Sequence, residues 1–90
     1  MAFQVTIDRH FPVDGAPRER TGELRLAASF ETQCATAHAA LALLTAAQIA
    51  YCGERFDCWG LESFRRLRNL GQQMSFRDGA SGLFLTVTRV

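Results

Sequence analysis

Two stretches near the N-terminus alternate apolar and polar residues with period two. In "FQVTIDRHF", Phe3, Val5, Ile7, Arg9 and Phe11 fall on one face, and Gln4, Thr6, Asp8 and His10 on the other. β-Branched and aromatic residues at that spacing predict a half-buried strand. "GELRLAASF" repeats the pattern, with Leu24, Leu26, Ala28 and Phe30 expected inward. "PVDGAPRERT" lies between them; its Pro, Gly and charge suit a long, exposed hairpin loop. The last stretch, "MSFRDGASGLFLTVTRV", predicts a second hairpin turning at Asp78-Gly79 and Gly82. Leu83, Leu85 and Val87 are expected inward there, with Phe84, Thr86, Thr88 and Val90 outward.

The pattern changes in the middle of the chain. "TQCATAHAALALLTAAQIAYCG", Thr32 to Gly53, contains no charged residue. Ser29 or Thr32 is expected to cap a helix there, and Gly53 to end it in a left-handed conformation. At 100° per residue, Cys34, Leu41, Thr45 and Cys52 form one stripe, flanked by Ala37, Leu44, Gln48 and Ile49. This stripe is expected to face the sheet. The opposite side carries Thr32, Thr36, Leu43 and Ala47, where a solvated helix would place Glu, Arg or Lys. That strip is therefore either covered by the second helix or open to a partner or a second copy of the chain.

"DCWGLESFRRLRNLG" predicts a second helix, with Asp57 as N-cap and Gly71 past its end. Trp59, Phe64, Leu67 and Leu70 share its apolar side; Glu62, Arg65, Arg66 and Asn69 lie opposite. The element order is then ββααββ. Antiparallel strands with one polar face need a cover on the other. The expected fold is an α+β two-layer sandwich, a four-stranded antiparallel sheet covered on one face by two helices, forming one domain over residues 1–90.

Composition narrows the chemistry. The hydrophobic share of 48% and seven Phe suffice for a core, and a formal charge of +1 gives no strong field to steer nucleic acid. The uncharged segment is long enough to span a bilayer, but its Gln, His, Thr and Ala content argues against insertion. Three Cys, an odd number, and a charged, already patterned N-terminus point to a cytoplasmic protein with free thiols.

No constellation of catalytic or metal-binding type stands out. Cys34 and His38 have helical i, i+4 spacing, and Cys52 and Cys58 are the further candidate ligands. There is no C-x-x-C pair, and one straight helix would separate Cys34 from Cys52 by roughly 27 Å. Cys58 gains some thiolate character if it starts the second helix near Arg55, yet no His is placed to serve it. Paired carboxylates and a phosphate loop are both missing, so neither enzyme activity nor a cofactor is expected.

All ten basic residues are Arg. Arg65, Arg66 and Arg68 cluster in "ESFRRLRNL", with Arg55 and Arg77 near its ends and Arg18 and Arg20 in the long loop. Arg suits protein and nucleic-acid interfaces alike. Glu62 offsets this cluster at helical spacing, and the connection "CGERFD" exceeds a helix-turn-helix turn. The reading that survives is a non-catalytic protein-binding module, a small inhibitor or adaptor. Its size and chemistry fit the class of phage or mobile-element proteins that block a host defence complex, anti-CRISPR inhibitors among them. The competing readings are a nucleic-acid-binding regulator using the Arg-rich helix, and a zinc- or thiol-dependent protein using Cys34/His38 or Cys52/Cys58. A protein partner is expected, with nucleic acid a weaker alternative, a homodimer compatible and no membrane.

Overall fold

The computed structural model describes residues 2–12 and 24–90. Its elements are β1 (Phe3–Pro12), β2 (Leu24–Cys34), α1 (Ala37–Cys52), α2 (Leu61–Arg65), β3 (Gln73–Asp78) and β4 (Leu83–Arg89). The strands form one antiparallel sheet in the order β2-β1-β4-β3, with both helices on one face. This is the expected ββααββ α+β sandwich.

The centre of the sheet belongs to the two strands with the cleanest apolar alternation. Phe3, Val5 and Ile7 of β1 and Leu83, Leu85 and Val87 of β4 are all buried against the helices. Phe3 pairs with Arg89, and Ala2 and Val90 exchange two backbone hydrogen bonds of 3.0 Å beyond them. Each central strand then carries one outer strand by its own hairpin.

Several expected boundaries move. β2 runs on to Cys34 because β1 supplies a cross-strand partner all the way to Phe3. Thr32, Gln33 and Cys34 are therefore strand residues, and neither Ser29 nor Thr32 caps the helix. Thr36 does so, its hydroxyl oxygen accepting the Ala39 N–H at 3.1 Å. Gly53 ends α1 at φ 80°, donating its N–H to Ile49 as expected.

The buried stripe of α1 is Ala40, Leu44, Ala47 and Gln48; Leu44 and Gln48 were expected at the sheet, whereas Leu41 and Cys52, expected at its centre, are only partly buried against the core. Ala40, Leu44 and Ala47 sit at i, i+4, i+7, which places them on one side of the helix, in the core. Leu41 and Leu43 straddle that line and are half-buried on either side. Ile49, expected at the sheet, is 53% exposed.

The second helix lasts five residues, without Asp57 as its cap. Gly60 takes the N-cap position, its N–H donating to Ser63 Oγ at 3.2 Å. Beyond Arg65 the main chain is drawn to the end of β4 and to a side chain. Arg89 Nη1 donates to the Leu67 carbonyl at 2.6 Å, and Gly71 N–H donates to the Arg89 carbonyl. Gln72 Oε1 accepts the N–H groups of Arg68 and Asn69 at 2.6 and 2.8 Å. Those bonds replace the helical ladder, and Leu70 is left exposed instead of buried.

Phe11 and Phe30 were expected inward and are exposed. Phe30 does face the helix side, paired with Ile7, but it lies on the edge strand, at the rim of a depression it shares with Leu43, Ala50 and Tyr51 of α1. Arg9 pairs with Ala28 while His10 pairs with Leu26, so Ala27 is an extra residue and the register slips before Phe11.

Candidate protein-binding surface

The outer face of α1 is open. His38, Ala39, Ala42, Ala46, Ile49, Ala50 and Tyr51 are exposed, and none carries a formal charge at neutral pH. A shallow depression of about 480 Å³ runs between α1 and α2, floored by Leu41, Ala42, Ala46, Ile49 and Leu61 with Arg55 at its margin. His38 and Leu61 also line a second hollow of about 210 Å³ that reaches Ala37, Phe64 and Arg65. The two adjoin at His38 and Leu61, and this α1–α2 groove has Arg55 and Arg65 among its lining residues. On the other flank of α1, Phe30, Leu43, Ala50 and Tyr51 surround a depression of about 260 Å³.

The four residues Thr32, Thr36, Leu43 and Ala47 do not form one strip. Thr32 belongs to β2, Thr36 is the N-cap, Ala47 is in the core and Leu43 is half-buried against it. The uncharged open face exists, rotated around the helix from the expected one. The wheel assigned it wrongly because alanine is equally at home on either side of a helix.

The arginines divide between surfaces. Arg55 and Arg65 border the α1–α2 groove, and Arg65 Nη1 donates to Glu62 at 2.6 Å with both side chains largely exposed. Such an exposed pair contributes little to stability. Arg66 lines a separate hollow of about 390 Å³ with Cys58, Trp59, Ser63 and Gln72. Arg68 is exposed in the turn that follows. Arg77 sits on the far side of the sheet, its guanidinium 5.3 Å from the Phe84 ring centre, and Phe84 stacks on His10 at 4.1 Å. Arg18 and Arg20 lie outside the described residues.

The cysteines are free and spread out. Cys34 ends β2 whereas His38 is in the first turn of α1, so they do not share a helix face. Cys58 is exposed and accepts a hydrogen bond from Gln48 Nε2 at 3.6 Å. At the end of α1, Cys52 Sγ donates to Asp78 Oδ2 at 3.5 Å and lies 3.2 Å from Ser81 Oγ. Burial pushes the Cys52 thiol up; the Ser81 hydroxyl opposes this and Asp78 adds to it. Hydrogen bonding from the Ser81 hydroxyl, with a smaller contribution from its N–H, holds the Asp78 carboxylate below its ordinary value. A protonated thiol and an ionised carboxylate tie α1 to the β3–β4 turn, an arrangement suited to holding two elements together rather than to nucleophilic attack. Among the described residues, no group of three His, Cys, Asp or Glu side chains is placed to hold a metal ion. Nor is any helix among them long and apolar enough to cross a membrane.

Sequence reasoning missed Arg9. Its guanidinium lies 4.0 Å from the Tyr51 ring centre and 5.1 Å from that of Phe11, stacked between the end of α1 and the sheet. The available signal was an arginine in the inward phase of a strand, which needs a partner or a route to solvent for its charge. No family model, curated relative or solved structure matches the chain.

Proposed function

We propose that this chain is a non-catalytic protein-binding module, an inhibitor or adaptor, that engages its partner through the outer face of α1 and the adjoining α1–α2 groove. One observation carries this reading: a helix face that ordinarily holds Glu, Arg or Lys is both exposed and free of charge. Covering Leu41, Ile49 and Leu61 gains roughly 25 cal/mol per Å² of apolar surface removed from water. Arg55 and Arg65 at the margins favour a partner that brings carboxylates to the rim, where they set orientation and association rate more than affinity.

The test is a photo-crosslinking amino acid introduced at Ala42, in the groove, and at Ser75, on the opposite sheet face, in cells of the source organism. Ala42 is expected to capture a defined protein that Ser75 does not. Purified partner should then lose binding at least tenfold to Ala42→Glu and Ile49→Glu but not to Arg77→Glu. Equal capture at both positions would sink the proposal. Salt-sensitive nucleic-acid binding abolished by Arg65→Glu and Arg66→Glu, without a protein partner, would replace it with the regulator reading.

A further inference from the structure

The depressions beside α1 are mainly apolar, whereas the hollow at the start of β3 holds polar and apolar groups together. It measures about 390 Å³, near the lower end of the roughly 300–1,000 Å³ of small-molecule sites. It lies where Gln73 pairs with Thr88; residues 13–23, outside the described ones, follow Pro12 at the opposite end of β1. The main chain has taken the acceptors of this hollow. Gln72 Oε1 accepts the N–H groups of Arg68 and Asn69 at 2.6 and 2.8 Å, which fixes the amide and leaves both Nε2 hydrogens unengaged. Ser63 Oγ accepts the Gly60 N–H at 3.2 Å, and no acceptor among the described residues takes the Ser63 hydroxyl hydrogen. Arg66 is exposed and pairs with no carboxylate among the described residues, because neighbouring Glu62 is held by Arg65. No acidic side chain among them lines the hollow, and Trp59, Leu67 and Met74 supply its apolar surface.

We infer that this hollow binds an organic monocarboxylate, its carboxylate on Arg66, Gln72 and Ser63 and its apolar body against Trp59, Leu67 and Met74. An ionised carboxylate only accepts hydrogen bonds, so it complements groups left with hydrogens to donate. The guanidinium matches its two oxygens in a planar fork. One guanidinium also balances one negative charge, which a phosphate dianion would exceed. A free acid and the C-terminus of a peptide share this chemistry. Arg66 does not line the α1–α2 groove, so the inference does not rest on the protein-binding reading.

The test is an NMR titration of the isotope-labelled chain with phenylacetate. The Gln72 side-chain amide and the Trp59 indole N–H are expected to shift saturably at roughly millimolar concentration. Phenylacetamide, which has the same shape without the charge, should bind at least tenfold more weakly. Arg66→Gln, a change at an exposed and unpaired side chain, should weaken phenylacetate at least tenfold, and Arg65→Gln should not. Gln72→Glu keeps an acceptor for Arg68 and Asn69 but turns the donor into a second acceptor, so it should abolish binding while circular dichroism stays native. Acetylglycylphenylalanine that binds at least tenfold tighter than phenylacetate assigns the site to a peptide terminus; one that does not assigns it to a free acid. Equal affinity for acid and amide overturns the inference. So does binding indifferent to Arg66→Gln, or the absence of any saturable shift.

Discussion

The side-chain carbonyl of Gln48 accepts the backbone N–H of Phe56, eight residues farther on, at 3.4 Å. Gln48 is 3% exposed, and its amide nitrogen reaches Cys58 Sγ at 3.6 Å. One buried amide therefore fixes the connection that carries Arg55 to the margin of the groove. Gln48→Met, similar in volume, leaves the Phe56 N–H without its partner. It should cost about 1–3 kcal/mol in denaturant unfolding. Amide exchange at Phe56 should accelerate while that of Leu85 changes only with global stability.

The hairpin between β3 and β4 depends on a backbone that only glycine fits. Gly82 has φ 72°, its carbonyl accepts the His10 N–H at 2.7 Å, and a Cβ there would overlap the His10 carbonyl oxygen. The left-handed conformation and the clash with main chain act together. Gly82→Ala should destabilise the fold by about 3 kcal/mol. Gly79→Ala, with open space around its Cβ position and no positive φ, should cost under about 1 kcal/mol. Thermal unfolding of the two variants side by side checks this, and equal losses would refute it.

Much of this architecture was legible in the residues. β1 alternates apolar with polar groups from Phe3 to Asp8 and β4 from Leu85 to Thr88, and a one-residue slip would have put Val5 or Leu85 in water. The order of strands was not legible, since both hairpins are local and the central pairing joins the two ends of the chain. The start of α1 was hidden because Thr32, Gln33 and Cys34 suit a strand as well as a helix, and pairing with Phe3 decided between them. The end of α2 was hidden for a different reason: Arg89, far along the chain, takes the Leu67 carbonyl. As for the site, the absence of charge on α1 was visible at once, while its orientation was not. Alanine has no preferred side, so the contact at Ala40 and Ala47 emerged only with the sheet in place.

Cys58 and Cys52 should react with a thiol reagent at different rates. Cys58 is exposed, whereas Cys52 is half-buried, hydrogen-bonded to Asp78 and pushed toward its protonated form. Only the thiolate reacts quickly with a maleimide. At pH 7.5, chosen as a mild labelling condition, mass spectrometry of a time course should find Cys58 modified first and Cys52 at least tenfold more slowly. Guanidinium should erase the difference. Comparable rates in the native protein would mean that Cys52 is not held as described.

The Asp78–Ser81 turn makes stability depend on pH in one direction. Ser81 donates its hydroxyl and its N–H to Asp78 Oδ2 at 2.7 and 3.3 Å, so the ionised carboxylate is favoured in the folded chain and its pKa is depressed. An unfolded Asp titrates near about 3.9. Because the folded value is lower, the unfolded chain binds the proton more readily, and acid draws the equilibrium toward unfolding. The contribution is complete above the unfolded value and disappears as pH falls through the folded one. Asp78→Asn keeps an acceptor for Ser81 but removes the charge. It should lower stability by up to about 1 kcal/mol at neutral pH. That deficit should shrink as pH falls through the folded value of the wild-type carboxyl, which then becomes protonated too. Urea melts of both proteins across that range provide the measurement, and a deficit that is constant with pH would show that the turn draws nothing from the ionised form.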